Sequence, residues 1–500
     1  MGIMEIAFRP DPARTDPVYR QLAGHLGSLI SSGQLPAGTK LPPSRELARS
    51  LGISRNTVNG AYQVLADGEW VVAHVGRGTF VADRPRVAAV PSPDAGSHAR
   101  AFLWEGLFAA QPRRPERISI DRRPSVRFDF RGGRVDVDAL PVRALRECFA
   151  GALANDLGEL ANNPDPRGWG PLREVIASRL VARGIRCEAD EIVITSGAQQ
   201  ALDLLSRVLL DPGEAAATER PGYFGAEWAF RAVGAHAVPI PVDEEGLRTD
   251  ALAQVLRGRR LKLVYCTPAV QSPTGVTLSD ARREELLALA EAHQLPILED
   301  DYDGDMRLAE PIVPALKTLD SVGQVITVGT FAKAVFPTLR IGYVVGAHPL
   351  VRRLAEAKLT ADMGTGHLAQ AALARWIANG GLDRHVRATR RDTAERIDAV
   401  MEAIAEEMPE GTEVARPAGG HAVWVKLPPE VDPDALRNEA WANDLSWSPP
   451  ETFLPGQEGA GFLHLSVALL PPGDVREGIA RLGQIARRLA ATRRRRAASA

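Results

Sequence analysis

Cysteine is scarce in this chain. Only Cys148, Cys187 and Cys266 occur, far apart and odd in number, which argues against a disulfide framework and against a cysteine-based metal site; they read as buried fillers. Long hydrophobic runs are missing as well. No stretch of about eighteen apolar residues offers a membrane span, and the opening MGIMEIAFRPDPAR lacks the charged, apolar and small-residue succession of a secretion signal. The expected compartment is therefore the cytoplasm, with no membrane partner and no metal. Net charge is almost absent, at -2, so a nucleic-acid partner would need a local basic patch. The tail TRRRRAASA, with Arg493 to Arg496, is such a cluster, and it reads as a solvated terminal charge run. Lysine occurs only six times, and one of the six, Lys333, lies in GTFAKAVFPTLRIGY, residues 329–343.

What is present is an ordinary globular composition over 500 residues, more than one core usually organises. Two domains, one of them large, are expected. Residues 84–125 are rich in Pro, Ala, Ser and Arg without a sustained period, which marks a linker between a domain at 1–83 and another at 126–500. FLWEGLF, residues 102–108, is a candidate short helix inside that linker.

Before the linker, PVYRQLAGHLGSLISSG places Tyr19, Leu22, Leu26, Leu29 and Ile30 on one helical face and ends at Gly33. SRELARSLG reads as a short helix capped by Ser44 and followed by a turn at Gly52. SRNTVNGAYQVLADG, from Ser54, is a third helix burying Val58, Ala61, Tyr62 and Leu65, and EWVVAHVGRGTFVAD forms two strands around Gly76-Arg77-Gly78. Helix, turn, helix and β-wing send the start of the second motif helix into a major groove. Ser54, Arg55, Asn56 and Thr57 occupy that start; Arg45 and Arg49 are placed to clamp the backbone, and Arg77 to reach a minor groove or phosphate. The alternative is a small helical docking domain with solvated arginines. Residues 16–82 resemble the winged helix of the GntR family of bacterial regulators, which implies a double-stranded DNA operator. Asn59-Gly60 departs from the longer basic residue common there, and Gly60 weakens its helix by roughly 1 kcal/mol relative to alanine.

From residue 126 onward helical patterns alternate with EIVIT, AAATE, KLVYCTP, LPILEDDYD, QVITVGTF and RIGYVVG. The fold class is α/β, an open, mostly parallel sheet with helices on both faces. Ligands in such sheets sit at the carboxyl ends of the strands. In ITSGAQQALDLLSRVLL a strand ends at Thr195, Ser196 and Gly197 turn, and a helix opens with the amides of Ala198 and Gln199 free for an anion. In PILEDDYD, alternation puts Asp300 and Tyr302 on one face and Asp301 on the other. That acid and phenol suit the ring nitrogen and hydroxyl of a pyridine cofactor; a solvated acidic turn is the alternative. Lys333 follows the strand QVITVGTF, with Thr330 before it and Arg340 after it. A lysine amine forms a Schiff base where partial burial beside cationic or dipolar groups favours its neutral form. Thr330 and Arg340 suit a phosphate cradle; a solvated structural lysine is the alternative.

These stretches, with NPDPRGWGPLREVIASRL, ERPGYFGAEWAF, SPTG and FDFRGGRVDVDALP in order, resemble the fold-type I pyridoxal-phosphate enzymes of the aspartate aminotransferase superfamily over some three-quarters of the chain. The resemblance implies pyridoxal 5′-phosphate as cofactor and a smaller C-terminal subdomain. It also implies a Schiff base at Lys333, the ring nitrogen at Asp300, the ring hydroxyl at Tyr302, stacking by Tyr223, and phosphate contacts from Thr330 and Arg340. Two places depart from the pattern: Ser272 stands for the usual turn asparagine, and His464, in FLHLSVALL, stands for the arginine that grips a substrate carboxylate. Histidine is shorter, only partly charged and not forked, so ordinary transamination is not expected. His464 is a candidate effector contact or a packed strand residue. A GntR-like winged helix joined to this domain resembles the MocR/GabR subfamily of transcription regulators. That implies a homodimer sensing an amine, an amino acid or the cofactor itself; the alternative is an active aminotransferase with an appended DNA-binding domain.

Overall fold

The computed structural model describes residues 6–11, 16–74, 76–83, 126–162, 165–308, 313–455, 459 and 461–498. FLWEGLF and the rest of 84–125 lie outside the described residues. The chain divides into two units, Met1–Phe108 and Ala109–Ala500.

In the first unit, α1 (Val18–Ser31), α2 (Ser44–Leu51) and α3 (Arg55–Asp67) precede the antiparallel strands β1 (Val71–His74) and β2 (Gly78–Val81). Leu22, Leu26, Leu47, Val58, Ala61 and Leu65 fill the core. Tyr19 and Tyr62, expected inside, are half-buried, and the Tyr62 hydroxyl donates to the Pro42 carbonyl at 2.7 Å, so the ring packs while its oxygen stays at the edge. Ser44 does not cap α2. Pro43 is the N-cap and Ser44 already belongs to the helix, because proline has a fixed φ and suits a helix entry. Ser54 does cap α3, accepting from the Thr57 N–H at 3.1 Å. Gly60 has a packing reason, since a Cβ there would meet the Tyr19 side chain at 3.3 Å. The close approach of α1 to α3 offsets the helix propensity lost.

The second unit is built on an eight-stranded sheet. β3 (Phe128–Phe130) stands apart from it; β4 (Ile192–Thr195), β5 (Ala215–Arg220), β6 (His236–Asp243), β7 (Gly246–Leu247), β8 (Leu263–Cys266), β9 (Ile297–Asp301), β10 (Val325–Thr330) and β11 (Gly342–Val345) form it. Their order is β4-β11-β10-β9-β8-β5-β6-β7. β10, β9, β8, β5 and β6 are mutually parallel, whereas β11 runs antiparallel to both β10 and β4. The connection from Phe331 to Ile341 is shorter than the dozen or so residues a parallel crossover needs. The chain therefore reverses, and both ends of that connection stay at the carboxyl edge of the sheet. β6 is hidden in the sequence by Pro239 and Pro241, which normally exclude a strand interior. Both prolines lie on its exposed face, while Val238 and Ile240 are buried.

The C-terminal lobe contains β12 (Glu413–Val414), β13 (Ala422–Lys426) and β15 (Phe462–Ser466) in one antiparallel sheet, while β14 (Leu445–Trp447) pairs in parallel with β3. Phe128 and Phe130 are buried among Val423, Val425, Leu463 and Leu465. The start of the second unit is thereby folded onto its end, and the loop after β3 lies over the cavity described next. The C-terminal helix Pro472–Ala498 carries the basic tail, whose Arg494 pairs with Glu430 at 3.2 Å. All three cysteines are free. Cys148 and Cys266 are buried, but Cys187 is only partly so, on a loop rather than a core strand. No helix among the described residues is long and apolar enough to cross a membrane, and no metal-binding cluster occurs among them.

Candidate functional site

A cavity of about 540 Å³ opens at the carboxyl edge of the large sheet. Strand ends supply its walls: β4 leads to Ala198 and Gln199, β5 to Tyr223, β8 to Ser272, β9 to Asp300 and Tyr302, and β10 to Thr330 and Lys333. Arg340 enters just ahead of β11, and His464 comes from β15 of the C-terminal lobe. Ser196 and Gly197 do not line it. They shape it through the backbone.

Gly197 has φ 90°, and a Cβ there would lie 2.9 Å from Arg340 Nη2. Arg340 is itself left-handed, at φ 52°, which turns its guanidinium to donate to the Ser196 carbonyl at 2.7 Å. The helix beginning at Ala198 keeps the N–H groups of Ala198 and Gln199 without an acceptor among the described residues. Two open amides, a helix N-terminus and an arginine make an anion corner. Behind it, the Ser196 N–H donates to Gln200 Oε1 at 2.7 Å, and fully buried Lys358 donates to the same oxygen at 2.9 Å and to Asp362 at 2.8 Å. Gln199 orients Tyr223, whose hydroxyl donates to Gln199 Oε1 at 3.1 Å. Burial, then the Asp300 charge, pushes that phenol up to about 12. Thr330 spends its hydroxyl on the turn, accepting from the Ala332 N–H at 3.2 Å.

Asp300 sits on the inner face of β9, 3% exposed. Its Oδ2 accepts from the Tyr265 hydroxyl at 2.8 Å, while its buried Oδ1 has no partner among the described residues. Burial lifts its pKa from the usual 3.8 to about 7. Asp301 points the other way, to Arg183 at 2.5 Å and Arg307 at 2.9 Å, as strand alternation requires. Tyr302 hydrogen-bonds Ser272 and Asp303; burial, then the charges of Asp303 and Asp300, push its phenol well up, against the opposing pull of the Ser272 bond. Gln271 anchors the Ser272 turn by donating to Pro221 O at 2.8 Å and accepting from the Thr274 N–H at 3.0 Å.

His464 stands opposite Trp424 in the β13–β15 ladder, its ring 4.6 Å from that of Phe453. Burial, and then the charge of Lys333, pull its pKa down to about 4, and its Nδ1 has no partner among the described residues. At neutral pH it is an uncharged ring, packed and lining the cavity at once.

Several cavity residues escaped the sequence reading. His421, pushed down to about 4 chiefly by burial, bonds the Lys333 backbone and lies 3.2 Å from Thr393 Oγ1. Asp303, lifted to about 6 by burial despite the nearby Lys333, keeps a buried Oδ1 unpartnered. The Gly419-Gly420 pair was the available signal. Gly420 has φ 77°, and a Cβ there would meet Asp303 Oδ2 at 2.6 Å.

On the first unit, Arg45, Arg49, Ser54, Arg55, Asn56 and Arg77 are exposed and Thr57 is half-buried. None of the four arginines forms an ion pair among the described residues. They remain available to phosphate.

Residues 133–482 match the family described as aminotransferase class I and II, and residues 18–81 match bacterial regulatory proteins of the gntR family. The probable rhizopine catabolism regulatory protein MocR of Rhizobium meliloti is 33% identical over 473 residues, covering 93% of this chain and 92% of that protein. The chain belongs to the MocR/GabR subfamily of GntR-type regulators. The HTH-type transcriptional regulator TauR of Rhodobacter capsulatus is 32% identical over 496 residues, covering 97% of this MocR-type chain and 100% of that protein. Among solved structures, the α-aminoadipate aminotransferase LysN of Thermus thermophilus, complexed with N-(5′-phosphopyridoxyl)-L-leucine, superposes with a TM-score of 0.68 at 32% identity, covering 73% of this chain and 93% of that one.

Membership brings DNA binding for the first unit and pyridoxal 5′-phosphate for the second. The MocR-type cavity fits that cofactor. The unpartnered Asp300 Oδ1 is a buried acceptor suited to a ring N–H, Tyr302 and Ser272 are placed for a ring oxygen, and the corner of Ala198, Gln199 and Arg340 suits a phosphate.

Proposed function

We propose that this chain is a DNA-binding transcription regulator that holds pyridoxal phosphate at Lys333 and reads an amine or amino acid through it. The observation that carries this reading is one chain joining uncompensated arginines on a helix-turn-helix to a cavity where Lys333 and a buried, unpartnered Asp300 oxygen meet. When bound, the cofactor supplies an aldehyde that captures primary amines reversibly. Lys333 would hold it, Asp300 would keep the ring nitrogen protonated, Tyr223 would cover the ring, and the amides of Ala198 and Gln199 with Arg340 would retain the phosphate. His421 steadies the Lys333 backbone. In this reading two copies pair through the large domain in the cytoplasm, and each winged helix meets one operator half-site. A ligand that favours one arrangement shifts DNA affinity by about 5 to 150-fold.

Operator footprints with and without pyridoxal phosphate, on wild type and Lys333→Ala, test the coupling. A cofactor-dependent footprint in wild type alone is expected; identical footprints in all four conditions sink it. Borohydride reduction followed by peptide mass mapping locates the attachment at Lys333. The second reading, a working aminotransferase with a localising DNA-binding domain, draws on the same intact cluster of Lys333, Asp300 and Arg340. Sustained amino transfer over many turnovers would favour it, and the uncharged His464 weighs against it.

A further inference from the structure

With no charge at His464, the cavity lacks the cation its position would otherwise supply, yet a surplus positive charge stands close by. Three arginines line the cavity among the described residues: Arg134, Arg340 and Arg396. Arg340 is turned into the anion corner. Arg396 is committed, donating to the Ala468 carbonyl at 2.6 Å and pairing with Asp136 at 3.3 Å. Arg134 differs. Its only acidic partner among the described residues is Asp129, at 2.7 Å, and Asp129 is already saturated by Arg131. Arg131 grips it from Nε at 2.8 Å and Nη2 at 2.7 Å, with the Arg131 backbone N–H adding a third bond at 3.2 Å. Two guanidinium groups thus share one buried carboxylate and leave one positive charge in excess, on the arginine whose side chain is 36% exposed rather than 6%.

The loop carrying Arg134 is fixed beside the histidine. The Gly132 N–H donates to Ser448 Oγ at 2.9 Å, and a Cβ on Gly132 would lie 3.7 Å from His464 Cε1. Around the same spot the walls are aromatic: the Phe453 ring lies 4.6 Å from that of His464, and the Phe224 ring 6.0 Å from that of Phe453. Flat apolar surface beside an under-compensated guanidinium suits a ligand with a carboxylate and an aromatic or bulky apolar side chain.

We propose that Arg134 replaces the cation absent at position 464 and anchors the carboxylate of an amino-acid effector with a flat apolar side chain. The inference rests on the cavity being a pyridoxal-phosphate site, and the test separates the two. Two stable reduced adducts, N-(5′-phosphopyridoxyl)-L-phenylalanine and N-(5′-phosphopyridoxyl)-2-phenylethylamine, differ only in the carboxylate. Their affinities for full-length, cofactor-stripped protein are measured by calorimetric titration on wild type and Arg134→Met, with pyridoxamine 5′-phosphate as the reference for an intact site. The carboxylate is expected to raise affinity about tenfold or more in wild type. The difference disappears in Arg134→Met, which still binds the reference as wild type does. Equal affinity for the two adducts in wild type overturns the proposal and leaves an amine effector without a carboxylate. A difference that survives in Arg134→Met overturns it in favour of another anchor. Failure of wild type to bind the reference removes the cofactor reading, and this inference with it.

Discussion

At Asp300 a raised pKa of about 7 and an unpartnered oxygen have the same origin, a carboxylate placed in the protein interior before its cationic partner arrives. Between the ordinary value of 3.8 and about 7 the folded, cofactor-free protein holds a proton that the unfolded chain has lost. Stability from this group therefore falls as pH rises through that window and is level above it. A pyridinium at Oδ1 reverses the preference by favouring the charged form. The gain in thermal midpoint on adding pyridoxal phosphate should therefore grow between about pH 5 and pH 7. Glu219, buried and also lifted to about 7, titrates in the same range, so Asp300→Asn is the control. It should abolish most of that growth and weaken cofactor binding about tenfold or more, read by fluorescence titration. Gly197→Ala places a Cβ 2.9 Å from Arg340 Nη2 at a φ of 90°. Strain of about 1–3 kcal/mol and a displaced Arg340 should weaken phosphate retention, raising the pyridoxal-phosphate dissociation constant while leaving Asp300 untouched.

Among the elements, α3 depends on its first turn. Ser54 caps it through the Thr57 N–H, and Ser54→Ala should cost about 1 kcal/mol of helix stability. Operator affinity should drop with it, measured by fluorescence anisotropy, because the capped turn also presents Arg55 and Asn56. Gly60 faces Tyr19 across the α1–α3 contact. Gly60→Leu should force the two helices apart and abolish operator binding, although glycine is the poorer helix former. The connection from β10 to β11 shows a similar dependence on neighbours. Its reversal puts Lys333 and Arg340 at one sheet edge, which alternating helices and strands do not disclose.

For the whole molecule, the near-zero net charge hides four exposed arginines on the first unit, Arg45, Arg49, Arg55 and Arg77. Operator binding should weaken steeply with salt. Arg45→Ala, Arg49→Ala and Arg77→Ala should each flatten the slope of log affinity against log salt by about one. A substitution that lowers affinity without changing the slope removes a base contact rather than a phosphate contact.

The amino-acid sequence alone determined the two-part layout, the helix-turn-helix with its wing, and the strand ends that carry Asp300, Tyr302 and Lys333, because local periodicity, glycine turns and short motifs act between neighbours in the chain. Only the tertiary structure decided what lies across the cavity from them. Arg134 sharing Asp129 with Arg131, Gly420 making room for Asp303, Lys358 bracing the Ser196 turn through Gln200, and the loss of charge on His464 are consequences of burial and of contacts between distant segments. Desolvation and long-range pairing depend on what is packed nearby, and no spacing along the chain encodes that.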